Sequence, residues 1–352
     1  MKIVYENKYI DILLKEAIQK KASDLHMTVG IPPAFRIDGG LIFSKLNILT
    51  AEDTKSLFES ISSKTQQYNL KEDGEVDFSY SSDTCGRFRV NVFKQRGAIA
   101  IVMRIISDQI PTLEELDCAS TLKSLALKKN GLVLFTGSAG SGKSTTIAAM
   151  IDFINQSKAL HIITMEDPIE YVHKHKKSIV NQREIYIDSK SFHSALRAAL
   201  REDPDLIFIG EMRDFETISI AITAAETGHL VFASLHTPDS IQTIDRIIDV
   251  FPSQQQQQIR IQLSMNLQGI ISQKLLPKKS GVGRIAVFEI MMNTPAIRNI
   301  IREGKTQQII SHIQTGASLG MQIFDREIEI LLKKNLITKD IALEYIKDLK
   351  LV

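Results

Sequence analysis

The sequence contains little cysteine and no long hydrophobic run. Its two cysteines, Cys85 and Cys118, lie far apart and form no CxxC pair. They cannot build a zinc cluster or a disulfide framework by themselves, so a reducing cytosol fits best. The first residues carry charges every few positions without an apolar core and cleavage site, and no stretch approaches ~18 consecutive apolar residues. We therefore expect neither a secretory signal nor a transmembrane segment.

The sequence also lacks an excess of charge of one sign. Lys and Arg together number 43 and Asp and Glu number 41, which leaves a formal net charge of +2. Binding DNA or an anionic membrane by charge alone requires a strong basic excess or a concentrated basic stripe. We therefore expect no direct nucleic-acid partner, and we expect any membrane association to come through a partner protein.

The 352 residues predict two domains, at roughly 150 residues per domain. Residues 1–108 predict a small N-terminal α+β domain in which a first helix precedes short alternating runs typical of strands. The apolar residues of that helix are Ile10, Leu13, Leu14 and Ile18. In the run 87–93, alternation places Arg87 and Arg89 on one face and apolar side chains on the other. Those apolar side chains are Phe88, Val90 and Val92.

The pattern changes after a segment, residues 109–130, that contains a proline and a short helix and that we interpret as a linker. In residues 131–352, short apolar runs alternate with helical segments, which is typical of a parallel sheet covered by helices. After Pro252 the chain is predicted to be mostly helical. A long first helix there would carry an apolar residue at every fourth position: Ile259, Leu263, Leu267, Ile271 and Leu275. Residues 283–291 predict a strand, and short helices follow.

Residues 137–144 fit the phosphate-loop pattern GxxxxGK[ST]. The glycines let backbone N–H groups turn around a phosphate chain, Lys143 reaches the terminal phosphates, and the Ser144 hydroxyl can bind Mg²⁺. An apolar strand precedes the loop and an amphipathic helix follows it, so the helix N-terminus adds its positive dipole. The predicted nucleotide-binding residues are Gly137, Ser138, Ala139, Gly140, Ser141, Gly142, Lys143, Ser144 and Thr145.

Two strand ends supply the carboxylates that ATP hydrolysis needs for a metal and for activating water. The run 205–211 delivers Glu211 to the carboxyl edge of its strand, beside the phosphate loop if the two strands are neighbours. The run 161–167 leads into three carboxylates within five residues: Glu166, Asp167 and Glu170. Such crowding is costly without a cation or a function. The structural alternatives are a surface glutamate after a core strand for Glu211 and a solvated turn for the other three carboxylates.

Two histidines stand at the ends of one predicted strand. The spacing of His229 and His236 sends their side chains to opposite faces, which argues against a shared metal. His236, at the carboxyl end, is interpreted either as a phosphate sensor or hydrogen-bonding switch, or as an ordinary structural histidine.

Together these stretches resemble the secretion-ATPase superfamily, in which a Walker A loop is followed by an Asp box, a Walker B motif and a His box. Residues 199–214 are similar to the long signature around Walker B, 166–171 to the Asp box and 227–237 to the His box. The resemblance narrows to the retraction ATPases of type IV pili. It extends from residues 22–39 to 296–305 and 314–325.

The resemblance implies a RecA-like P-loop core with a smaller, PAS-like N-terminal domain and a helical C-terminal region. It further implies a hexamer that hydrolyses ATP with Mg²⁺, lies at the inner face of the cytoplasmic membrane and docks on an inner-membrane pilus platform protein. By this resemblance Glu170 is the catalytic base, Glu211 is the Walker B acid acting on Mg²⁺, and Glu166 supports them. Ser138 and Ala139 replace the more usual Pro-Thr at variable positions of the loop.

Rings of this kind also supply arginines across the subunit boundary. The arginines that resemble such residues are Arg87, Arg89, Arg96 and Arg104, with salt-bridged or solvated sheet arginines as the alternative for at least two. The segment 296–305 resembles a segment that is characteristic of the retraction ATPases. By this resemblance its polar residues Arg298, Asn299 and Arg302 are candidates for transmitting motion.

Three other functions are alternatives. A pilus or type II secretion assembly ATPase typically carries an extra N-terminal domain and a four-cysteine zinc insertion, which the cysteine count and length of this chain do not match. An accessory paralogue could regulate a motor without turning over ATP, although Lys143, Glu170 and Glu211 are intact. A P-loop kinase is disfavoured because no segment resembles a lid that binds an acceptor.

Overall fold

The computed structural model describes residues 7–37, 39–106, 109–116 and 120–346. The chain divides into two compact units, residues 1–109 and 110–352. The division falls next to residue 108, where the sequence predicts the end of the N-terminal domain. Cys118 lies outside the described residues.

The first unit is built on a six-stranded antiparallel sheet in the order β3-β2-β1-β6-β5-β4. Its strands are β1 (Asp24–Met27), β2 (Ala34–Ile37), β3 (Gly40–Phe43), β4 (Glu75–Ser82), β5 (Gly86–Gln95) and β6 (Ala98–Ile106). Its helices are α1 (Asn7–Gln19), α2 (Ala51–Ile61) and α3 (Lys64–Asp73). Helices α2 and α3 were not predicted, although Thr50 and Ser63 precede them as N-caps with capping boxes.

Alternation in β5 gives the predicted buried face, because Phe88, Val90 and Val92 are fully buried in the core of this unit. The prediction for α1 is wrong at one position. Ile18 is 41% exposed, and Ala17 is buried in its place. Ala17 follows Ile10 by seven residues and continues the buried stripe, whereas Ile18 lies one position further round the helix.

The second unit contains a seven-stranded sheet in the order β13-β12-β7-β11-β10-β8-β9. All neighbouring pairs are parallel except β12 with β13. The strands are β7 (Gly131–Thr136), β8 (His161–Glu166), β9 (Ile179–Glu184), β10 (Leu206–Ile209), β11 (Leu230–Leu235), β12 (Leu267–Pro277) and β13 (Arg284–Met292). The central strands β7, β10 and β11 are buried along their whole length, since helices cover both faces of a parallel sheet.

The helices that accompany this sheet begin with α4 (Ser120–Ala126), α5 (Lys143–Ser157), α6 (Phe192–Ala199), α7 (Phe215–Glu226), α8 (Ser240–Asp249) and α9 (Ser253–Asn266). The C-terminal helices are α10 (Pro295–Glu303), α11 (Ile309–Thr315), α12 (Phe324–Lys333) and α13 (Lys339–Tyr345). Thr294 caps α10 by accepting a hydrogen bond from the Ile297 amide, and Pro295 stands in the first turn, both as predicted.

The predicted long helix after Pro252 is wrong in its second half. Helix α9 ends at Asn266, and β12 begins at Leu267 between β7 and β13. A recurrence of four residues is also twice the strand period of two, so the apolar pattern fits both structures. The strand is buried on both faces, with Ile270 and Ile271 almost fully covered.

No helix in the described part of the chain is long and apolar enough to cross a membrane.

Candidate active site

The loop between β7 and α5 turns directly from strand into helix because its glycines adopt backbone angles that other residues rarely adopt. Gly137 has a φ of +141°, and a Cβ atom there would lie 2.4 Å from the Gln273 carbonyl oxygen. Gly142 has a φ of +86° and is the N-cap of α5. The first amides of α5 therefore border the loop, and a helix N-terminus favours an anionic ligand.

Lys143, the first residue of α5, is only 8% exposed. Its Nζ donates hydrogen bonds to the carbonyl oxygens of Gly137 (2.6 Å) and Ser138 (3.0 Å). Burial lowers the pKa of Lys143, and the nearby charges of Glu170 and Glu211 oppose that shift. The ammonium group is therefore held in the loop and lies within electrostatic reach of two carboxylates.

Glu211 and His236 meet because they follow adjacent parallel strands, β10 and β11. His236 Nε2 lies 3.2 Å from Glu211 Oε1, and the Arg213 guanidinium pairs with the same carboxylate oxygen. Strand β10 does not pair with β7, since β11 lies between them. Glu211 nevertheless lines the same cavity as Lys143.

The Asp-box carboxylates follow β8. Burial raises the pKa of Glu166 to about 7, although hydrogen bonds from Thr164 and Gln182 act in the opposite direction. Thr164 Oγ1 donates to Glu166 Oε1 at 2.6 Å, and Gln182 Nε2 donates to the same atom at 3.0 Å. Glu170 lies four residues further along and lines the cavity near Lys143. The peptide bond between Asp167 and Pro168 is cis.

A cavity of about 490 Å³ brings these segments together at the carboxyl edge of the parallel strands. The predicted site residues that line it are Ala139, Gly140, Ser141, Gly142, Lys143, Ser144, Thr145, Glu166, Glu170, Glu211 and His236. Gly137 and Ser138 contribute through their carbonyl groups, which hold Lys143. His229 is at the other end of β11, where its Nδ1 lies 3.0 Å from the Ala224 carbonyl oxygen.

The four predicted arginines belong to the first unit. Arg87 and Arg89 lie on the partly exposed face of β5, and Arg96 occupies the turn before β6 with a φ of +49°. Arg104 on β6 pairs with the buried carboxylate of Asp24, with Nε and Oδ1 2.9 Å apart. Arg104 is therefore a salt-bridged sheet arginine, which is the alternative stated above for at least two of the four. Arg89 lies directly opposite Arg104 in the β5–β6 pair.

Sequence reasoning missed several residues that line the cavity. Arg284, the first residue of β13, donates from Nη1 to the Gly140 carbonyl oxygen at 3.3 Å. The Tyr171 hydroxyl lies 2.9 Å from Thr145 Oγ1 and so connects the Asp-box segment to α5. His173 and Phe192 also line the cavity. Tyr171 and His173 follow Glu170 closely, which was the available signal. Nothing in the sequence around Arg284 points to the phosphate loop.

The chain belongs to the family of type II/IV secretion system proteins, whose sequence profile matches residues 4–329. It is 49% identical to the type IV pilus retraction ATPase PilT of Pseudomonas aeruginosa, over 95% of this chain and 97% of that protein. It is 41% identical to the type IV pilus ATPase PilU of the same organism, over 95% and 87% of the two chains.

The fold is similar to a crystal structure of the pilus retraction motor PilT with bound ADP. The TM-score is 0.90 at 54% identity, and the match covers 96% of this chain and 97% of that one. This agreement confirms the predicted fold class, a RecA-like P-loop core with a smaller PAS-like N-terminal domain and a helical C-terminal region.

We expect the substitution Gly137→Ala to weaken binding of a fluorescent ATP analogue by about tenfold or more. The added Cβ would collide with the Gln273 carbonyl and lie 2.7 Å from Ser141 Oγ, so the loop that holds Lys143 must shift. Gly228→Ala is the matched control, since Gly228 also has a positive φ but no neighbouring atom within 4 Å of a Cβ. Equal affinities of the two variants would contradict the assignment of this loop.

Proposed function

We propose that the protein is a Mg²⁺-dependent ATPase that works as a homohexameric motor and powers the retraction of type IV pili, and so twitching motility. The observation that carries this proposal is the convergence of Lys143, Glu170, Glu211 and His236 on one cavity beside the phosphate loop. Similarity to the Pseudomonas retraction ATPase over nearly the whole chain supports retraction as the work performed.

The residues of the cavity divide the chemistry of hydrolysis between them. Lys143 stabilises the negative charge of the terminal phosphates. Glu170 accepts a proton from the attacking water, so that a new O–P bond forms at the γ-phosphorus while its bond to the bridging oxygen breaks and ADP leaves. His236 contacts Glu211 in the same cavity, and we assign it the role of sensing the terminal phosphate.

The side chains that would hold Mg²⁺ are Ser144 and Glu211, which both line the cavity. When bound, Mg²⁺ neutralises phosphate charge. Hydroxyl and carboxylate oxygens are the hard donors that this ion prefers. Within the described ranges no group of three or more His, Cys, Asp and Glu could hold a metal. That finding fits an ion bound through one or two protein oxygens together with substrate phosphates.

We expect Lys143→Ala, Glu170→Gln and Glu211→Gln each to lower the rate of phosphate release from ATP by about 10²-fold or more. Each change removes a charge beside the transferred phosphate. The two Glu→Gln changes also keep the side-chain volume almost constant. Lys128→Ala, at an exposed lysine, is the control for charge removal elsewhere on the surface. Equal release from the wild type and all four variants would rule out the proposed chemistry.

The motor also needs a catalytic contribution from the neighbouring subunit, and we assign it to one or more of Arg87, Arg89, Arg96 and Arg104. Arg104 is the weakest of the four arginines, because Asp24 already engages it. An arginine supplied in trans contributes about 10³–10⁵ in rate in comparable enzymes. Isolated subunits would then be poor catalysts.

Mixing experiments test this assignment. An inactive arginine variant combined with inactive Lys143→Ala is expected to regain phosphate release, because some hybrid interfaces contain one intact copy of each residue. The readout is phosphate release as a function of mixing ratio, with each variant alone as the baseline. Failure of all four arginine variants to be rescued would count against a role in trans.

We further propose that the ring lies at the inner face of the cytoplasmic membrane and docks on an inner-membrane platform protein of the pilus. Deletion of the gene is expected to give long, unretracted pili and no twitching, as seen by electron microscopy and a surface-spreading assay. Complementation with Lys143→Ala is expected to fail. Absent pili would indicate an assembly motor, and rescue by Lys143→Ala would indicate an accessory regulator that does not need ATP turnover.

A further inference from the structure

Strand β9, which sequence analysis did not predict, directs two polar side chains at the Asp-box segment. Gln182 donates from Nε2 to the Tyr171 carbonyl oxygen at 2.8 Å, and its Oε1 accepts from the His173 amide at 2.7 Å. Glu184 Oε2 accepts from the Ile169 amide at 3.2 Å. Residues 182 and 184 are two positions apart and therefore lie on the same face of the strand.

These contacts hold the backbone on both sides of Glu170. Ile169 precedes Glu170 and is anchored by Glu184, whereas Tyr171 follows it and is anchored by Gln182. Residues 167–170 belong to no helix or strand. Side-chain hydrogen bonds to the flanking backbone therefore contribute to the position of Glu170.

Gln182 connects this segment to a third point. Its Nε2 also lies 3.0 Å from Glu166 Oε1, so one amide group spans the end of β8 and the backbone beyond Glu170. On the opposite side, the Tyr171 hydroxyl lies 2.9 Å from Thr145 Oγ1. The neighbours of Glu170 are thus hydrogen-bonded to β9 and to the helix that begins at the phosphate loop.

The choice of residue at position 182 matches this environment. Glu166 is half-buried, and an acceptor removed from water is costly to leave without a donor. A neutral amide supplies donor and acceptor groups at once and adds no charge beside Glu166, Glu170 and Glu184. Gln182 is itself partly buried, and Glu184 is 4% exposed.

We propose that Gln182 and Glu184 are positioning residues that set the place of Glu170 relative to the phosphate loop. The inference rests on the proposed ATPase function, in which Glu170 activates water. It assigns β9 a part in the chemical step although neither residue lines the cavity.

The test compares Gln182→Met and Glu184→Met, which remove the hydrogen bonds at nearly constant volume, with two milder variants. Glu184→Gln keeps an oxygen acceptor for the Ile169 amide and is the conservative rescue. Asn181→Ala is the matched control, because Asn181 faces the other side of β9 and its Nδ2 lies 2.9 Å from His161 Nε2. Steady-state phosphate release, binding of a fluorescent ATP analogue and thermal melting are measured for each protein.

We expect kcat to fall about 10- to 100-fold in Gln182→Met and Glu184→Met, since small misplacement of a catalytic group has effects of that size. KM and analogue affinity are expected to stay within about threefold, because the phosphate loop is untouched. Glu184→Gln and Asn181→Ala are expected to behave like the wild type.

Unchanged kcat in folded Gln182→Met and Glu184→Met would overturn the inference. A loss of analogue affinity as large as the loss of kcat in both variants would also overturn it, because it would indicate a general structural role. If Gln182→Met melts below the assay temperature, Gln182→Asn is judged by the same criteria, since it keeps the amide on a shorter stem. Absence of phosphate release from the wild type would overturn the proposed function and this inference with it. Activity in the wild type with no change in the variants would overturn this inference alone.

Discussion

The site depends on one buried charge, the ammonium group of Lys143. A cation that is 8% exposed needs hydrogen-bond partners or opposite charges, and it receives both. The carbonyl groups of Gly137 and Ser138 accept its hydrogen bonds, which requires the loop to curl back over the start of α5. Only glycine fits at position 137 of this loop, because a side chain there would collide with the Gln273 carbonyl oxygen of β12. The conformation of the phosphate loop therefore depends on both α5 and the neighbouring strand β12.

The carboxylates of Glu170 and Glu211 supply the negative charge that stabilises the Lys143 ammonium group. Parallel strands deliver their carboxyl ends to one edge of the sheet, so Glu166, Glu211 and His236 arrive together although they are distant in the sequence. Burial then differentiates them. Glu166 has a pKa of about 7, whereas Glu211 is shared between His236 and Arg213. The edge strand β9 completes the arrangement, because its side chains hold the segment that carries Glu170.

Local patterns predicted the elements whose signals are local. The phosphate loop has a fixed spacing, β5 alternates strictly, and α10 begins with a Thr-Pro cap, and all three are found where expected. The prediction was wrong where two periodicities coincide, at β12, and at Ile18, where the buried stripe of α1 passes to Ala17. Strand β9 has the sequence IVNQRE, and its polar side chains Gln182 and Glu184 hydrogen-bond to the Asp-box segment. Its sequence therefore lacks the apolar pattern of a buried strand.

The sequence by itself determined the position of the phosphate loop, the parallel architecture and which acidic and histidine residues follow the strands, because each depends on residue type and short-range spacing. Only the tertiary structure decided which side chains meet. The insertion of β11 between β7 and β10, the pairing of Arg104 with Asp24, and the contacts of Arg284 and Gln182 join residues far apart in the chain. Such contacts are set by strand order and by the packing of elements against each other, and no local pattern encodes them.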